Sequence, residues 1–464
     1  MSAPVLWILV PGGMAVVLYF LRRWQRLTVF LGVGLASILC GLAAWLNVGV
    51  VIRIGRWSFA FTDTLTIFGR RFVLDNTARP ALLVIYLVTA FWLGGVLASR
   101  VGRLAVPLGL GIITLLTAAF AVDPFLYAAL LIEMAVLGSV PLLTPPGRPI
   151  GRGMLRFLVF QTLGMMLLLF TGWIMAGVEA NPEDHALTAR AVTFFGLGFA
   201  LLLAVIPFQT WIPMLAEEAH PYAAGLIFLM LPEMVMLFGL SFLDRYAWLR
   251  AAPSLYSYIR LAGVVSVFIG GWWAASQRHL GRMLGYVVIV EIGYSLLAVG
   301  IPGGLPLHFA LLIPRAIGFG VFTLALSAIR ARTGSLDIRH VQGAARRMPL
   351  AAAGVVILQF ALAGFPLLAG FPVHLALWET ASKQYIWTAL WSVLGSAGLL
   401  AAGLRSLGVL LASPEDTPWQ VSETRLEAVL LILGLFALLA AGLFSQLYFP
   451  ALTGLAQGLE YISP

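Results

Sequence analysis

Charge is what this 464-residue chain has least of: 10% of its residues are Asp, Glu, Lys or Arg, against 61% hydrophobic. Mean hydropathy is +0.99. A soluble protein of this length cannot bury that much apolar surface, so lipid must be the solvent for most of it. Lysine is almost missing, with Lys383 the sole example, and the net charge of +9 therefore rests on arginine. The arginines fall in connections between apolar runs, where they orient a membrane protein, and nucleic acid is discounted as a partner. The single cysteine, Cys40, excludes an intrachain disulfide and reads as a small buried filler. CxxC, HExxH, P-loop and post-strand GxGxxG patterns are all missing, so no metal, nucleotide or flavin is expected and no cofactor is assigned to this chain.

What is present is a series of apolar runs. At about twenty residues per crossing they number about fourteen: near 4–21, 27–48, 79–99, 105–122, 124–144, 154–177, 190–207, 220–243, 259–276, 283–300, 305–329, 349–370, 385–411 and 427–448, with 371–382 as a possible half-helix. The expected fold class is all-α, a polytopic membrane protein. The first run is followed, not preceded, by arginines, so it reads as a transmembrane helix with its N-terminus outside rather than a signal peptide. The 49–78 segment is too charged to cross and is expected as a short surface hairpin. Polar breaks at 178–189 and 412–425 read as loops.

Arginine alternates by connection. Arg22, Arg23 and Arg26, then Arg100 and Arg103, Arg148, Arg152 and Arg156, Arg278 and Arg282, and the group from Arg330 to Arg347 mark one side. By the positive-inside rule that side is cytoplasmic and both termini face outward. Arg53, Arg56, Arg70 and Arg71 in the 49–78 segment are the exception.

A weak repeat aligns AVIPFQTWIP (204–213) with AGFPLLAGFP (363–372) at a shift of about 159, pairing Pro207 with Pro366 and Pro213 with Pro372. An odd number of spans between the members would invert the second copy. Two inverted five-helix units with proline-broken helices follow, a recurrent build for ion-coupled transport.

Five ionisable residues sit near the middle of apolar runs: Glu133, Glu233, Glu291, Arg315 and His374. Each such group costs roughly 2.5–3.5 kcal/mol at a bilayer centre, so several persist only if paired, wetted or useful. They read as a path for protons or ions, with structural ion pairs as the bland alternative. If Glu133 lay beside Glu233, like-charge repulsion would leave the two sharing a proton. Glu217 and Glu218 read as carboxylates at a helix start after Pro213, favoured by the dipole. His220 and His308 are expected at the interface, and Met214, Met230, Met234 and Met236 as ordinary packing.

Several stretches resemble one family. PFQTWIPMLAEEAHPYAAG (207–225), RHLGRMLGYVVIVEIGYSLLA (278–298), RTGSLDIRHVQGAARRMPLAA (332–352) and ALAGFPLLAGF (361–371) are similar, in order, to signature segments of the antiporter-like membrane subunits of respiratory complex I. Multisubunit sodium/proton antiporters and membrane-bound hydrogenases share this family. The similarity runs from about residue 60 to about 410, and the absence of a long lateral helix after 448 fits the shorter subunit types better. Residue by residue, the family's mid-membrane glutamate matches Glu133. Its lysine after the signature tryptophan falls at Glu233, the histidine of the second segment at Glu291, and its last lysine at His374. The H-x-x-x-K of the next span reads Pro314 and Gly318, with Arg315 nearby. Arginine cannot replace a protonatable lysine, because it does not deprotonate in proteins.

The resemblance implies a proton-relaying, non-catalytic membrane-arm subunit of a complex I-related translocase, multi-pass in a bacterial inner membrane. Electron chemistry and quinone reduction would belong to partner membrane subunits. Glu133, Glu233, Glu291 and His374 would relay protons, with Arg315 as counter-ion. Expected units are 1–100 (first helices and surface hairpin), 101–255 and 256–412 (the two repeats) and 413–464 (last helix and tail). The alternatives are a scaffold of the same fold that has lost pumping, or a subunit of a different cation- or bicarbonate-coupled transporter.

Overall fold

Apolar runs in lipid can satisfy their backbone only by bonding internally, and helices do this within one segment. The computed structural model describes every residue except 1, 55, 56, 145, 146, 148, 182, 183, 253, 413–418, 460, 463 and 464. Arg56 and Arg148, and 413–418 of the last polar break, therefore lie outside the described residues. A π-helical turn (Val5–Leu9) leads into α1 (Val10–Phe20), followed by α2 (Gln25–Trp45), α3 (Arg79–Gly94), α4 (Ala105–Ala121), α5 (Ala128–Leu143), α6 (Arg152–Ala180) and α7 (His185–Leu202). Then come α8 (Trp211–Glu218), α9 (Pro221–Arg245), α10 (Leu255–Ser276), α11 (Leu280–Gly300) and α12 (Leu312–Thr333), the last preceded by a short helix, Leu305–Ala310. The chain closes with α13 (Pro349–Leu362), α14 (Phe371–Gln384), α15 (Ile386–Leu411) and α16 (Arg425–Leu443).

Among the described residues, ten helical stretches are long and apolar enough to cross a membrane, beside three shorter apolar ones, Val5–Phe20, Arg79–Gly94 and Ala105–Ala121. The chain is a multi-pass, mostly helical membrane protein. Start signals are local. Asp184 accepts from the Ala186 and Leu187 amides to cap α7, and Thr424 with Glu427 forms a capping box on α16.

Two expected runs stop early, 190–207 at Leu202 and 349–370 at Leu362, because the backbone breaks there. At the first break Ala204 has φ 51°, and the amides of Val205 and Phe208 bond the carbonyls of Ala200 and Val205. At the second, Gly364 has φ 76°, and the amides of Phe365 and Leu368 bond those of Phe360 and Phe365. The two breaks share one bonding pattern at a shift of 160 residues (204 to 364), one more than the proline alignment implied. Pro207 thus corresponds to Leu367, not Pro366. Pro207 and Pro366 lie inside the breaks, whereas Pro213 and Pro372 sit in the first turns of α8 and α14.

The surface segment is more than one hairpin. β1 (Val51–Ile54) pairs with β2 (Trp57–Ala60), and β3 (Thr64–Ile67) with β4 (Arg70–Val73), which also takes β5 (Val122–Asp123). Glu217 and Glu218 occupy the last turn of α8, not a helix start. Glu218 instead accepts from the Gly153 and Met154 amides and caps α6, while Glu217 pairs with Arg282 at 2.6 Å. The carboxylate still serves a helix N-terminus, but one 65 residues away in sequence.

The centre of the protein is built from α9, α11 and the Leu305–Thr333 stretch, whose apolar windows are 78%, 89% and 83% buried, against 22% for α16. Polar groups placed on those helices are shielded from lipid by the rest of the bundle.

Candidate functional site

Three of the expected ionisable residues meet in that centre. Arg315 of α12 donates through Nε to Glu291 Oε2 at 2.9 Å, and through Nη2 to the Glu291 carbonyl and to Ser295 Oγ, both at 2.9 Å. Its Nη1 pairs with Glu233 Oε1 from α9. Local sequence prepares this meeting. Glu291 and Ser295 are one turn apart on α11 and so share a face. Glu233 and Arg315 each directly follow a proline, Pro232 and Pro314. A proline supplies no amide to the helix ladder, which loosens the turn carrying the charge.

His308 joins the cluster. It was expected at the interface, but Leu305–Ala310 packs inward and leaves it 0% exposed, with Nε2 3.6 Å from Glu233 Oε2. His374 of α14 is also fully buried. Its ring lies 4.2 Å from that of Tyr294 and 5.9 Å from that of Trp378, and neither nitrogen has a hydrogen-bond partner among the described residues. Tyr294 shares a 2.5 Å hydrogen bond with Ser396 and accepts from Trp378 Nε1 at 3.3 Å. Because Tyr294 precedes Ser295 on α11, one helix links the histidine pocket to the arginine cluster.

Glu133 stands apart. It is half-buried on α5, and its Oε1 accepts from Thr162 Oγ1 of α6 at 2.6 Å. Its helix neighbours Leu130, Met134 and Leu137 are about half exposed, so this carboxylate borders an outward face. The shared-proton pair of Glu133 and Glu233 does not form. Glu233 faces a guanidinium instead, because α12 brings Arg315 against α9. Ser295, Tyr294 and Thr162 were not singled out from the sequence, and His308 was placed at the interface. The Glu291, Tyr294, Ser295 spacing was a legible one-face pattern, whereas nothing local marks His308 or Thr162. Among the described residues, no three His, Cys, Asp or Glu side chains cluster so as to hold a metal ion.

A second ionic cluster lies at the N-terminus of α16. Arg332 donates to Glu427 Oε2 at 2.5 Å and to its Oε1 at 3.2 Å, and Arg100 approaches Oε1 at 3.7 Å. Glu427 also receives the Thr424 amide in the capping box, so its carboxylate is fully occupied by structure.

Known proteins resemble the chain over this region. NADH-quinone oxidoreductase subunit N of Psychrobacter arcticus is 31% identical over 233 residues, which are 49% of this chain and 47% of that protein. NADH-quinone oxidoreductase subunit 13 of Thermus thermophilus is 25% identical over 416 residues, 83% of this chain and 84% of that one. Several curated relatives are matched over only 46–63% of their length. A subunit in the structure of the Mrp complex from Dietzia sp. DQ12-45-1b has the same fold, with TM-score 0.83 at 20% identity, covering 100% of this chain and 97% of that one. The family profile described as NADH:quinone oxidoreductase/Mrp antiporter, TM, matches residues 153–401, more than half of the sequence. This chain belongs to the NADH:quinone oxidoreductase/Mrp antiporter transmembrane family.

Proposed function

We propose that this chain is an antiporter-like membrane-arm subunit of a complex I-related assembly in a bacterial inner membrane. It relays protons across the membrane, while partner membrane subunits carry the electron chemistry and quinone reduction. The curated names of its relatives support the assembly, and the reading takes 101–255 and 256–412 as the two inverted units.

The observation that carries the relay is one guanidinium between a buried carboxylate, Glu291, and a largely buried one, Glu233. With both carboxylates ionised, the cluster holds one net negative charge inside the bundle. An uncompensated buried charge costs several kcal/mol, on the order of 3–5 when one partner of a pair is removed. One proton on Glu233 or Glu291 restores neutrality, and Arg315 stays charged throughout. The cluster therefore takes up a proton when isolated and gives it up when a positive charge approaches. His308, 3.6 Å from Glu233, is the switchable group placed to bring that charge, with His374, packed on Tyr294 beside Ser295, as the next one along α11. Glu133, bordering an outward face of the bundle, is the remaining station.

The second reading is a scaffold that has lost pumping. It is favoured by the lysine positions of the resemblance holding Glu233, Gly318 and His374 instead, with only the non-titrating Arg315 nearby. Glu133→Gln and Glu233→Gln in the reconstituted complex separate the two, with proton-to-electron stoichiometry as the readout. The relay requires a severe loss of stoichiometry with normal assembly. Wild-type stoichiometry in both variants would leave only the scaffold.

A further inference from the structure

Glu233 is largely enclosed by helices, and it lines a cavity of about 70 Å³ together with His308, Leu237, Phe309 and Leu455. Among the described residues, Glu233 and His308 are the only ionisable ones lining it. Glu233 Oε2 and both His308 nitrogens lack a hydrogen-bond partner among the described residues. Buried polar atoms are seldom left so, and the cavity has room for water bonded to this pair, the one polar spot in its lining.

The cavity does not end there. Ala81, Leu237, Phe309 and Leu455 also line a second one, of about 260 Å³. Its far wall carries Asp75 and Thr77, at the N-terminus of α3. The polarity thus runs from an ionisable pair inside, past an apolar neck, to a polar mouth. By the arginine pattern that mouth faces outward.

One segment covers both cavities. After α16 the chain turns through Phe449–Thr453 and Gly454–Gly458, which pack against Leu305–Ala310. Leu455 sits in the shared neck, and Gly458 and Leu459 line the outer cavity. The end of the segment is fastened: the Tyr461 amide donates to Asp244 Oδ1 at 2.7 Å, and the Arg250 guanidinium lies 5.0 Å from the Tyr461 ring.

We propose that these cavities form an outward proton portal to Glu233, with His308 as its inner station and the C-terminal segment, through Leu455, as its cover. This rests on the relay reading. A proton leaves the Glu233 carboxyl, which becomes carboxylate, and is taken by His308 Nε2. The imidazolium then passes a proton to water in the inner cavity, forming hydronium and returning to the neutral ring, and water passing the neck carries that proton to the outer cavity. Apolar Leu455 sets how often water connects the two cavities.

Accessibility tests the portal without measuring pumping. Leu237→Cys is placed in the assembled complex on a Cys40→Ala background and treated, in intact cells, with a small membrane-impermeant methanethiosulfonate. Leu237 lines both cavities, so it should react from outside. Leu455→Trp should slow the reaction about tenfold by filling the neck, and Asp244→Ala should speed it several-fold by releasing the segment. An unreactive Leu237→Cys, reaction only from the cytoplasmic side, or rates within about twofold of each other in both variants would overturn the portal. Labelling as expected with unchanged stoichiometry in Glu233→Gln would keep the opening and remove the relay. Failed labelling with lost stoichiometry in Glu233→Gln would keep the relay and remove this route.

Discussion

Arg315 and Glu291 meet twice, side chain to side chain and side chain to backbone, with Nε on the carboxylate and Nη2 on the carbonyl, each at 2.9 Å. The second bond ties the guanidinium to the helix itself, so its position does not depend on the protonation of Glu291. Arg315 can then hold its field constant while the carboxylates around it exchange a proton.

Removing that guanidinium should be costly. Arg315→Leu leaves Glu233 and Glu291 buried with no cation, a loss of roughly 3–5 kcal/mol. The accumulated complex and its thermal midpoint should both fall. Adding Glu233→Gln and Glu291→Gln to Arg315→Leu should recover much of the loss, since no buried charge then remains unpaired. A single variant as stable as wild type would contradict the buried pairing.

Packing of α10 on α15 offers a prediction free of charge. A Cβ on Gly271 would lie 2.0 Å from the Gly395 carbonyl oxygen, so the two helices touch backbone to backbone. Gly271→Leu should lower the thermal midpoint, by an overpacking cost of about 1–3 kcal/mol or more. Gly408→Ala, further along α15, meets nothing within 4 Å and should be tolerated. Equal midpoints for the two variants would refute the close approach.

Orientation can be read by chemistry. Ser335 follows α12 in the arginine-rich connection assigned to the cytoplasm. Ser335→Cys on a Cys40→Ala background should resist an impermeant thiol reagent in intact cells and react after permeabilisation. Strong labelling from outside would invert the topology.

Sequence by itself determined which stretches are apolar enough to enter lipid and which residues are too polar to be there by accident. Both are local properties, because twenty apolar residues span a bilayer whatever surrounds them, and a charge within such a run carries its desolvation cost everywhere. It also carried the family signature, and the existence of the two breaks, though one residue out of register. Proline marks a place where the ladder fails, but the positive φ at Ala204 and Gly364 sets the frame. Tertiary structure alone decided the partners. Glu233 and Arg315 are 82 positions apart (233 to 315) and meet only because α9 packs on α12, which removed the expected pairing of Glu233 with Glu133. Likewise His308 looks interfacial from its place in a short turn between spans, and becomes a neighbour of Glu233 only when that turn folds inward. Which helix faces another depends on ridges and grooves summed over the whole bundle, and no single window of sequence contains that sum.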